Sequence, residues 1–249
     1  MKFAERFQLF VRLHFLQMLW NFKGMQNLGC LFTLRPVLGR LYDGAERTEA
    51  ERRHALFFNT HPYFASICFG VVVRMEEDVK SGAFKKPEMI PILKNRMSGP
   101  LAAVGDAFFW ETVRPIMASL AVLAAFVFGP GSAPSLIVLA GVVAMYIAQA
   151  EAIRWQGLGW GYRYGLEVVE VLKRKDFQGS MRRIRNAGAF LLGIASVVYL
   201  LQESPLSPTH LLVRAAILVL LLAATARKLS PTVMLYVVAA AGFFLGVML

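Results

Sequence analysis

The chain has 249 residues, of which 57% are hydrophobic and 17% are charged, and its mean hydropathy is +0.52. Soluble domains carry about 25% charged residues, so this composition excludes an ordinary soluble domain and indicates a membrane protein. The net charge of +11 is typical of positively charged cytoplasmic loops. The sequence has no basic-aromatic recognition motif, so we expect no nucleic-acid binding.

The N-terminal part mixes charged and apolar residues. Apolar side chains recur at helical spacing from Phe3 to about Trp20, which predicts an amphipathic helix that lies in the headgroup region or on a partner. A second helix is predicted over 43–60. Pro62 follows it closely and predicts irregular backbone around 59–62. Residues 1–96 are therefore predicted to be an amphipathic, interfacial part.

An apolar segment at 97–115 contains helix breakers and charges together. The breakers are Gly99, Pro100 and Gly105. Asp106, Glu111 and Arg114 follow within a short span, and lipid tolerates charge only where protein or a wet cavity shields it. The pattern predicts a broken or re-entrant helix that lines a substrate path. Alternatively, Glu111 and Arg114 form a buried ion pair that fixes the fold.

The rest of the chain is more apolar. Runs at 116–128 and 135–150 predict a helical hairpin, although each is shorter than the roughly 20 residues of a simple span unless flanking residues are recruited. Glycines beside aromatic residues then predict close helix packing; they are Gly157, Gly159, Gly161 and Gly165. Basic clusters at 173–185 and 227–228 predict inner loops, which would place the C-terminus on the outer side.

Polar residues also cluster at two N-terminal breaks. Trp20, Asn21 and Gln26 occur near the first break, and Asn59, Thr60 and His61 near the second. Amides and indoles are suited to sugar binding, but Asn21 and Gln26 equally suit the satisfaction of backbone groups at a helix break. A lone histidine such as His61 favours a structural role. The sequence has no nucleotide loop, nucleophile elbow or zinc pattern, so we predict no catalytic residue, metal or cofactor.

Several blocks in order resemble the IID membrane subunit of the mannose/fructose/sorbose class of bacterial sugar phosphotransferase systems. The blocks are Trp20-Asn21-Phe22 with Met25-Gln26 and Gly29, Arg53-His54 with Phe57-Phe58-Asn59-Thr60 and Pro62, Gly99-Pro100-Leu101-Ala102 with Gly105-Asp106, Phe109-Trp110 with Thr112 and Arg114-Pro115, and Gly161-Tyr162. The resemblance covers nearly the whole chain. Ala107 and Glu111 depart from the family pattern. These departures affect the identity of the transported sugar more than the fold.

The resemblance implies that the chain pairs with a IIC subunit, in a trimer of such pairs, to form a transmembrane path for a hexose. Separate IIA and IIB proteins would carry the phosphoryl group, and this chain would not be phosphorylated. We predict that the sugar site and the IIC contact involve Trp20, Asn21, Gln26, Asn59, Thr60, Asp106 and Arg114. Structural or partner contacts are predicted for Met25, His61, Trp110 and Glu111.

The sequence thus predicts an all-α integral membrane protein of the bacterial cytoplasmic (inner) membrane, in contact with lipid. Its single domain, 1–249, would consist of N-terminal amphipathic helices at 1–96 and a re-entrant and transmembrane part at 97–249, with about four to five hydrophobic helices. Three alternatives remain open, of which the least favoured is a standalone channel. The other two are a non-transporting scaffold or regulatory subunit that braces IIC, and an integral membrane enzyme.

Overall fold

The structure is a computed structural model that describes residues 1–174, 179, 181–188, 190, 191 and 193. All of them lie in the first of two compact units, Met1–Val198. In this part of the chain the regular structure is helical, apart from two isolated β-bridges, and the all-α prediction is confirmed. The crossings predicted after residue 193, and the C-terminal orientation, lie outside the described residues.

The helices follow one another in chain order. They are α1 (Phe3–Leu13), α2 (Asn27–Leu41), α3 (Gly44–His54), α4 (Ala65–Lys80), α5 (Met89–Phe108), a π-helical turn (Phe109–Val113), α6 (Arg114–Phe128), α7 (Ala133–Tyr164), a 3-10 turn (Gly165–Glu167) and α8 (Val168–Arg174).

The first two predicted helices are shorter than the sequence pattern indicates. Helix α1 ends at Leu13 rather than near Trp20, and tighter turns with hydrogen bonds over three residues follow it. The His14 ring donates to the Phe10 carbonyl oxygen at 3.0 Å, which satisfies one of the last carbonyl groups. Helix α3 ends at His54. The irregular backbone predicted before Pro62 is confirmed.

Helix α2 tolerates an internal proline through a contact with α1. Pro36 has no N–H to offer the carbonyl group of Phe32, one turn earlier. The Arg12 guanidinium of α1 donates to that carbonyl oxygen at 2.8 Å, and it also lies 4.4 Å from the centroid of the Phe32 ring. One arginine therefore replaces the missing hydrogen bond and joins the two helices.

Helix α4 is the central helix of the N-terminal part. Every residue from Ala65 to Val73 is buried, as expected for a helix that is apolar on all sides. It packs closely on α7, where Gly157 and Gly161 face it. A Cβ atom on Gly161 would lie 1.9 Å from the Ile67 carbonyl oxygen, so only glycine permits this approach. The close packing predicted from these glycines is confirmed.

The predicted break at 97–115 is displaced in the structure. Helix α5 runs without interruption through Pro100 and Gly105. Gly99 explains why, because it lacks the Cβ atom that would otherwise clash with the following proline ring. The interruption is instead the π-helical turn, which joins α5 to α6 in one helical rod over 89–128. The prediction of a helix broken at these three residues was therefore wrong.

The rod at 89–128 and the 39-residue helical segment at 133–171 are each long and apolar enough to cross a membrane. The turn between them contains Gly129 and Gly131, both with positive φ. The hairpin predicted from the shorter apolar runs thus recruits flanking residues on both sides. The first 18 residues of α7, 133–150, carry no charge and would extend about 27 Å, close to the roughly 30 Å hydrocarbon thickness of a bilayer.

Candidate functional site

The structure brings the three polar segments of the sequence together. The Gln26 amide donates to the Thr60 carbonyl oxygen at 2.8 Å and accepts from the Thr60 N–H at 3.1 Å. The Thr60 hydroxyl donates to the carbonyl oxygen of Ser98 in α5 at 2.8 Å. Gln26 and Thr60 are both buried. These bonds fix the two N-terminal breaks against the long helical rod.

The segment around Trp20 forms a small turn. The Asn21 side-chain oxygen accepts from the Gly24 N–H at 2.8 Å, and its amide nitrogen donates to Asn27 at 3.0 Å. Met25 takes a left-handed conformation with φ 56°, and it pairs with Asn21 and Phe58 through isolated bridges. Asn21, like Gln26, therefore satisfies groups of the protein itself, which was one of the two alternatives left open by the sequence.

Other predicted site residues face outward. Asn59 and Trp20 are exposed, and the Trp20 ring contacts the 88%-exposed Phe22 at 4.8 Å between centroids. Asn59 follows directly on buried Phe58 and precedes buried Thr60. Asn59 is therefore exposed at the protein surface, next to the buried residue through which the three polar segments meet.

An aromatic cluster surrounds His61 at the π-helical turn. The His61 ring stacks on Phe109, with centroids 5.2 Å apart and planes 12° apart, and lies 5.1 Å from the Trp110 ring. A Cβ atom on Gly105 would lie 2.4 Å from the imidazole, so the glycine admits the ring. Tyr63 continues the cluster, at 4.6 Å from Phe109. The sequence signal for this contact was the glycine inside an otherwise helical segment.

The π-helical turn has an identifiable cause. Pro115 cannot donate to the carbonyl group one α-turn earlier, and the Arg114 N–H donates to the carbonyl oxygen of Phe109, five residues before it. The Thr112 hydroxyl donates to the Ala107 carbonyl oxygen at 2.8 Å, also over five residues. Such π-turns inside α-helices occur frequently at functional sites.

The charged residues of the rod do not pair as the sequence alternative proposed. Arg114 lies over the Trp110 ring at 4.7 Å, whereas Glu111 accepts from Arg185 at 3.3 Å. Asp106 is half-buried and Trp110 is 37% exposed. Because Asp106, Trp110 and Arg114 follow at intervals of four residues, they lie along one side of the rod. A carboxylate, an indole and a guanidinium are thus presented together in a membrane-spanning helix.

His61 is a neutral group in this setting. It is 2% exposed, and burial, with a smaller contribution from the charge of Arg154, lowers its pKa to about 4. Its Nδ1 atom accepts from the Tyr63 N–H at 3.3 Å, while Nε2 is buried without a hydrogen-bond partner in the described part of the chain. Leaving a buried polar group unpaired costs about 1–3 kcal/mol, so this atom calls for an explanation.

A second buried polar network was not found by sequence reasoning. Glu76, 1% exposed, accepts two hydrogen bonds from Arg53, at 2.8 and 2.5 Å, one from His54 at 2.6 Å and one from Tyr42 at 2.9 Å. Burial alone would raise the pKa of Glu76, but the hydrogen bonds from Arg53 and His54 outweigh it and lower the pKa to about 2. Burial lowers the pKa of His54 to about 4.

The network continues to a fully buried lysine. The Lys94 ammonium donates to the His54 carbonyl oxygen at 3.4 Å and lies 3.7 Å from the Cys30 sulfur. Cys30 and Cys68 are both buried free thiols. Glu76 lies in a run of closely spaced charged residues, and this pattern does not indicate that one of them is buried. Across the described residues, His, Cys, Asp and Glu side chains form no group of three that could hold a metal ion.

The long apolar helices and the helix-only architecture define an integral membrane protein with a polar cluster at one side of a spanning rod. Residues 2–211 match the family model described as the PTS system mannose/fructose/sorbose family IID component. The chain therefore belongs to this family, as the resemblance in the sequence predicted.

Similar proteins and structures agree with this assignment. The chain is 36% identical over 190 residues to the PTS system mannose-specific EIID component of Escherichia coli (strain K12), which is 75% of this chain and 62% of that protein. It is 33% identical to the fructose permease IID component of Bacillus subtilis (strain 168), over 76% of this chain and 66% of that protein. The chain thus spans less than two thirds of these relatives' length.

Two solved structures share the fold. One is the cryoEM structure of the mannose transporter ManYZ in complex with microcin E492, in which a chain has 27% sequence identity and a TM-score of 0.60, covering 99% of this chain and 97% of that chain. The other is described as the structure of a membrane protein, with 28% identity and a TM-score of 0.70, covering 98% and 97%.

Proposed function

We propose that the chain is the IID subunit of a sugar-importing phosphotransferase permease. It pairs with a IIC subunit, in a trimer of such pairs, in the bacterial cytoplasmic membrane, with its C-terminus on the outer side. The pair forms the path for a hexose, and partner IIA and IIB proteins phosphorylate the sugar. The mannose, fructose and sorbose systems named for the relatives support this class of substrate.

One observation carries the proposal: polar and ionisable side chains lie in, and pack against, the two helices that are long and apolar enough to cross a membrane. Tyr63 belongs to the cluster around His61, and its hydroxyl lies 3.3 Å from the hydroxyl of Tyr146, which is inside the charge-free run of α7. Asp106, Trp110 and Arg114 belong to the rod that crosses the membrane. Ionisable groups in a spanning helix are costly and face a protein interior or a wet path. A hydrated sugar provides a reason for them.

The proposal gives roles to the predicted residues according to their position. Asn59, Trp20, Asp106 and Arg114 are accessible at the surface and contact sugar or IIC. Gln26, Thr60 and Asn21 hold the three segments in register through their hydrogen bonds. Met25, Trp110, His61 and Glu111 support these contacts. The polypeptide itself supplies no catalytic group, and phosphoryl transfer belongs to the partners.

The test is sugar uptake by the assembled system. The full chain is expressed with its IIC, IIA and IIB partners, and uptake of radiolabelled mannose, fructose and sorbose is measured in intact cells. Asn59→Ala and Asp106→Ala are expected to lower uptake while IIC still copurifies with the chain. Asp43→Ala is the matched control, because Asp43 is an exposed carboxylate at the start of α3. Wild-type uptake by both site variants would contradict the roles of Asn59 and Asp106.

A scaffold that only braces IIC is the second candidate. It is favoured by the fact that Asn21, Gln26 and Thr60 bond to groups within the protein. The two candidates differ in one outcome. A scaffold predicts that every harmful substitution reduces the amount of assembled complex, whereas a path-forming subunit predicts altered sugar affinity in complexes that assemble normally.

A further inference from the structure

The His61 imidazole is more than a packing element of the aromatic cluster. The backbone N–H of Tyr63 is a donor, so the Nδ1 atom that it contacts, 3.3 Å away, is the acceptor. A neutral imidazole with an acceptor at Nδ1 carries its proton at Nε2. The Nε2–H group is therefore a buried donor, and it has no acceptor in the part of the protein that the structure describes.

A second donor of the same kind lies on the Tyr63 ring. Arg154 is held by a hydrogen bond from its Nη1 atom to Glu151, and its guanidinium lies 4.4 Å from the centroid of the Tyr63 ring. Its Nε atom is buried and has no partner in the described part of the chain, and the side chain is 14% exposed. His61 packs against the same ring, at 5.1 Å between centroids. Two donors without acceptors thus border one tyrosine.

We propose that the His61 Nε2–H and Arg154 Nε–H groups bind hydroxyl oxygens of a neutral sugar, with the neighbouring Trp110 indole packing on the C–H face of the same molecule. The inference rests on the proposed function, and it adds two binding residues to that site. His61 was predicted from the sequence to be structural, and Arg154 was not singled out.

The local charges select a neutral ligand over an anion. Glu151 neutralises Arg154 through their hydrogen bond, and the imidazole is uncharged at neutral pH. The remaining charges on this side of the rod are the Arg114 guanidinium on the Trp110 ring and the Asp106 carboxylate, which are opposite in sign. Asp106 precedes Trp110 by about one helical turn on the same side of the rod, so a phosphate group packed on that indole would approach a carboxylate. Donors without net positive charge suit hydroxyl oxygens, whereas tight binding of phosphate uses charge-assisted hydrogen bonds.

The position of Trp110 provides the route to these donors. Its ring is partly exposed beside His61, and the Arg114 guanidinium lies 4.7 Å from the centroid of the same ring. Trp110 is also part of the π-helical turn, whose wider hydrogen-bonding pattern departs from the α-helices on both sides. In this proposal the sugar approaches the imidazole past the Trp110 indole, while the Phe109 and Phe64 rings, which also contact His61, stay buried.

The experiment separates the two ring nitrogens of His61. The full chain is expressed with its IIC, IIA and IIB partners, and KM and maximal rate of mannose uptake are measured. His61→Gln places an amide donor near the position of Nε2, His61→Asn places an amide near Nδ1, and His61→Phe keeps only the ring. The loss of one hydrogen bond to the sugar is expected to raise KM roughly three- to tenfold in the Asn and Phe variants, with little change in the Gln variant.

Arg154 is tested by substitution with lysine. Arg154→Lys retains a cation for Glu151 but has no Nε–H group, so the same rise in KM is expected. Copurified IIC and the thermal unfolding midpoint are measured for every variant. A purely structural role for His61 would lower these two quantities in all three His61 variants and leave KM of the surviving complex unchanged, which would overturn the inference. Equal KM values for the Gln and Asn variants would overturn it as well.

Two further outcomes are decisive. If mannose 6-phosphate competes with mannose as strongly as unlabelled mannose does, the site takes an anion and the assignment to a neutral ligand is wrong. If the wild-type system transports none of mannose, fructose or sorbose, the proposed function fails, and the inference fails with it. Normal wild-type uptake with unchanged KM in the Asn and Lys variants removes the inference alone.

Discussion

At the scale of single residues, the buried carboxylate of Glu76 is expected to be the most sensitive charge in the N-terminal part. Glu76→Gln removes the negative charge and leaves Arg53 with a neutral, less complementary partner in a buried site. Breaking a buried pair of this kind costs about 3–5 kcal/mol. The free energy of unfolding, measured by denaturant titration in detergent, reports the loss.

The adjacent residue offers a matched control. Glu77 also accepts from an arginine and a tyrosine, Arg40 and Tyr162, at 2.5 and 2.6 Å, but its side chain is 24% exposed. Glu77→Gln is expected to cost no more than about 1 kcal/mol, the usual range for ion pairs near water. Equal losses for the two variants would show that burial does not distinguish them.

The two buried histidines predict how stability depends on pH. Burial lowers the pKa of His54 and of His61 to about 4, whereas an unfolded histidine titrates near 6.5. Between these values the unfolded chain binds protons that the folded chain does not, so stability is highest above about pH 6.5 and falls as the pH decreases toward 4. Glu76, with its pKa lowered to about 2, extends the loss below pH 4.5.

Thermal unfolding midpoints measured across pH 4–8 test this prediction. His61→Phe removes one of the two titrating groups and is expected to make the decline shallower between pH 6.5 and 4. A midpoint that stays constant over this interval in the wild-type chain would contradict the assignment of neutral, buried histidines.

Residue types predicted which segments of the site are polar, but not which groups remain available to a ligand. Gln26 and Asn59 are both amides at predicted breaks, yet Gln26 makes two hydrogen bonds to Thr60 and Asn59 is exposed. This difference depends on where the backbone of a distant segment passes. Glu76 was missed for the same reason, since its burial arises from Arg53, which is 23 residues away in sequence.

At the scale of helices, the contact between α4 and α7 depends on glycine. Gly161→Ala would place a methyl group 1.9 Å from the Ile67 carbonyl oxygen and 2.9 Å from the Val71 nitrogen, and backbone atoms cannot rotate away. We expect a loss of roughly 3 kcal/mol, at the upper end of ordinary overpacking. Unfolding in detergent and copurification of IIC measure the effect.

Gly141→Ala is the matched control in the same helix. A Cβ atom at Gly141 meets no described atom within 4 Å, and glycine costs about 0.5–1 kcal/mol relative to alanine inside a helix. This variant is expected to be as stable as the wild type or slightly more stable. Similar destabilisation by both substitutions would mean that helix curvature, rather than the contact with α4, governs the result.

The sequence identified the elements of the rod but misplaced its irregularity. Breakers normally interrupt helices, so Gly99, Pro100 and Gly105 predicted a break. Gly99 instead removes the steric clash with Pro100, and Gly105 makes room for the His61 ring. The actual irregularity comes from Pro115 and from the Thr112 hydroxyl, whose bond to Ala107 spans five residues. Choosing between these effects requires knowledge of what packs against each glycine.

At the scale of the molecule, the N-terminal part contacts the hairpin at the end of the charge-free run of α7. The charge-free run of α7 ends at Ala150, and Glu151 then binds both His14 of the N-terminal part and Arg154. Tyr63 meets Tyr146 less than two helical turns before this boundary. The cluster around His61 therefore lies near the point where the apolar run meets the first charges. The division into an interfacial part, 1–96, and a spanning part, 97–249, stays a prediction from composition, and the long apolar rod of the structure begins at Met89.

The apolar surface of the hairpin gives the last prediction. Val143 lies inside the charge-free run of α7 and is half-exposed. Val143→Arg places a charge near the middle of a membrane-spanning helix, which opposes insertion by about 2.5–3.5 kcal/mol. Gln8→Arg adds the same charge at an exposed position of α1, outside the spanning segments, and serves as the control.

The measurement is the amount of the chain in alkali-washed membranes. Because α6 and α7 pack on each other, failure of α7 to insert is expected to deprive α6 of its partner and to lower the amount of the whole chain, whereas the Gln8 variant stays at wild-type level. Full recovery of the Val143 variant in the washed membrane fraction would show that this face of α7 contacts water, since an aqueous surface accepts arginine without cost.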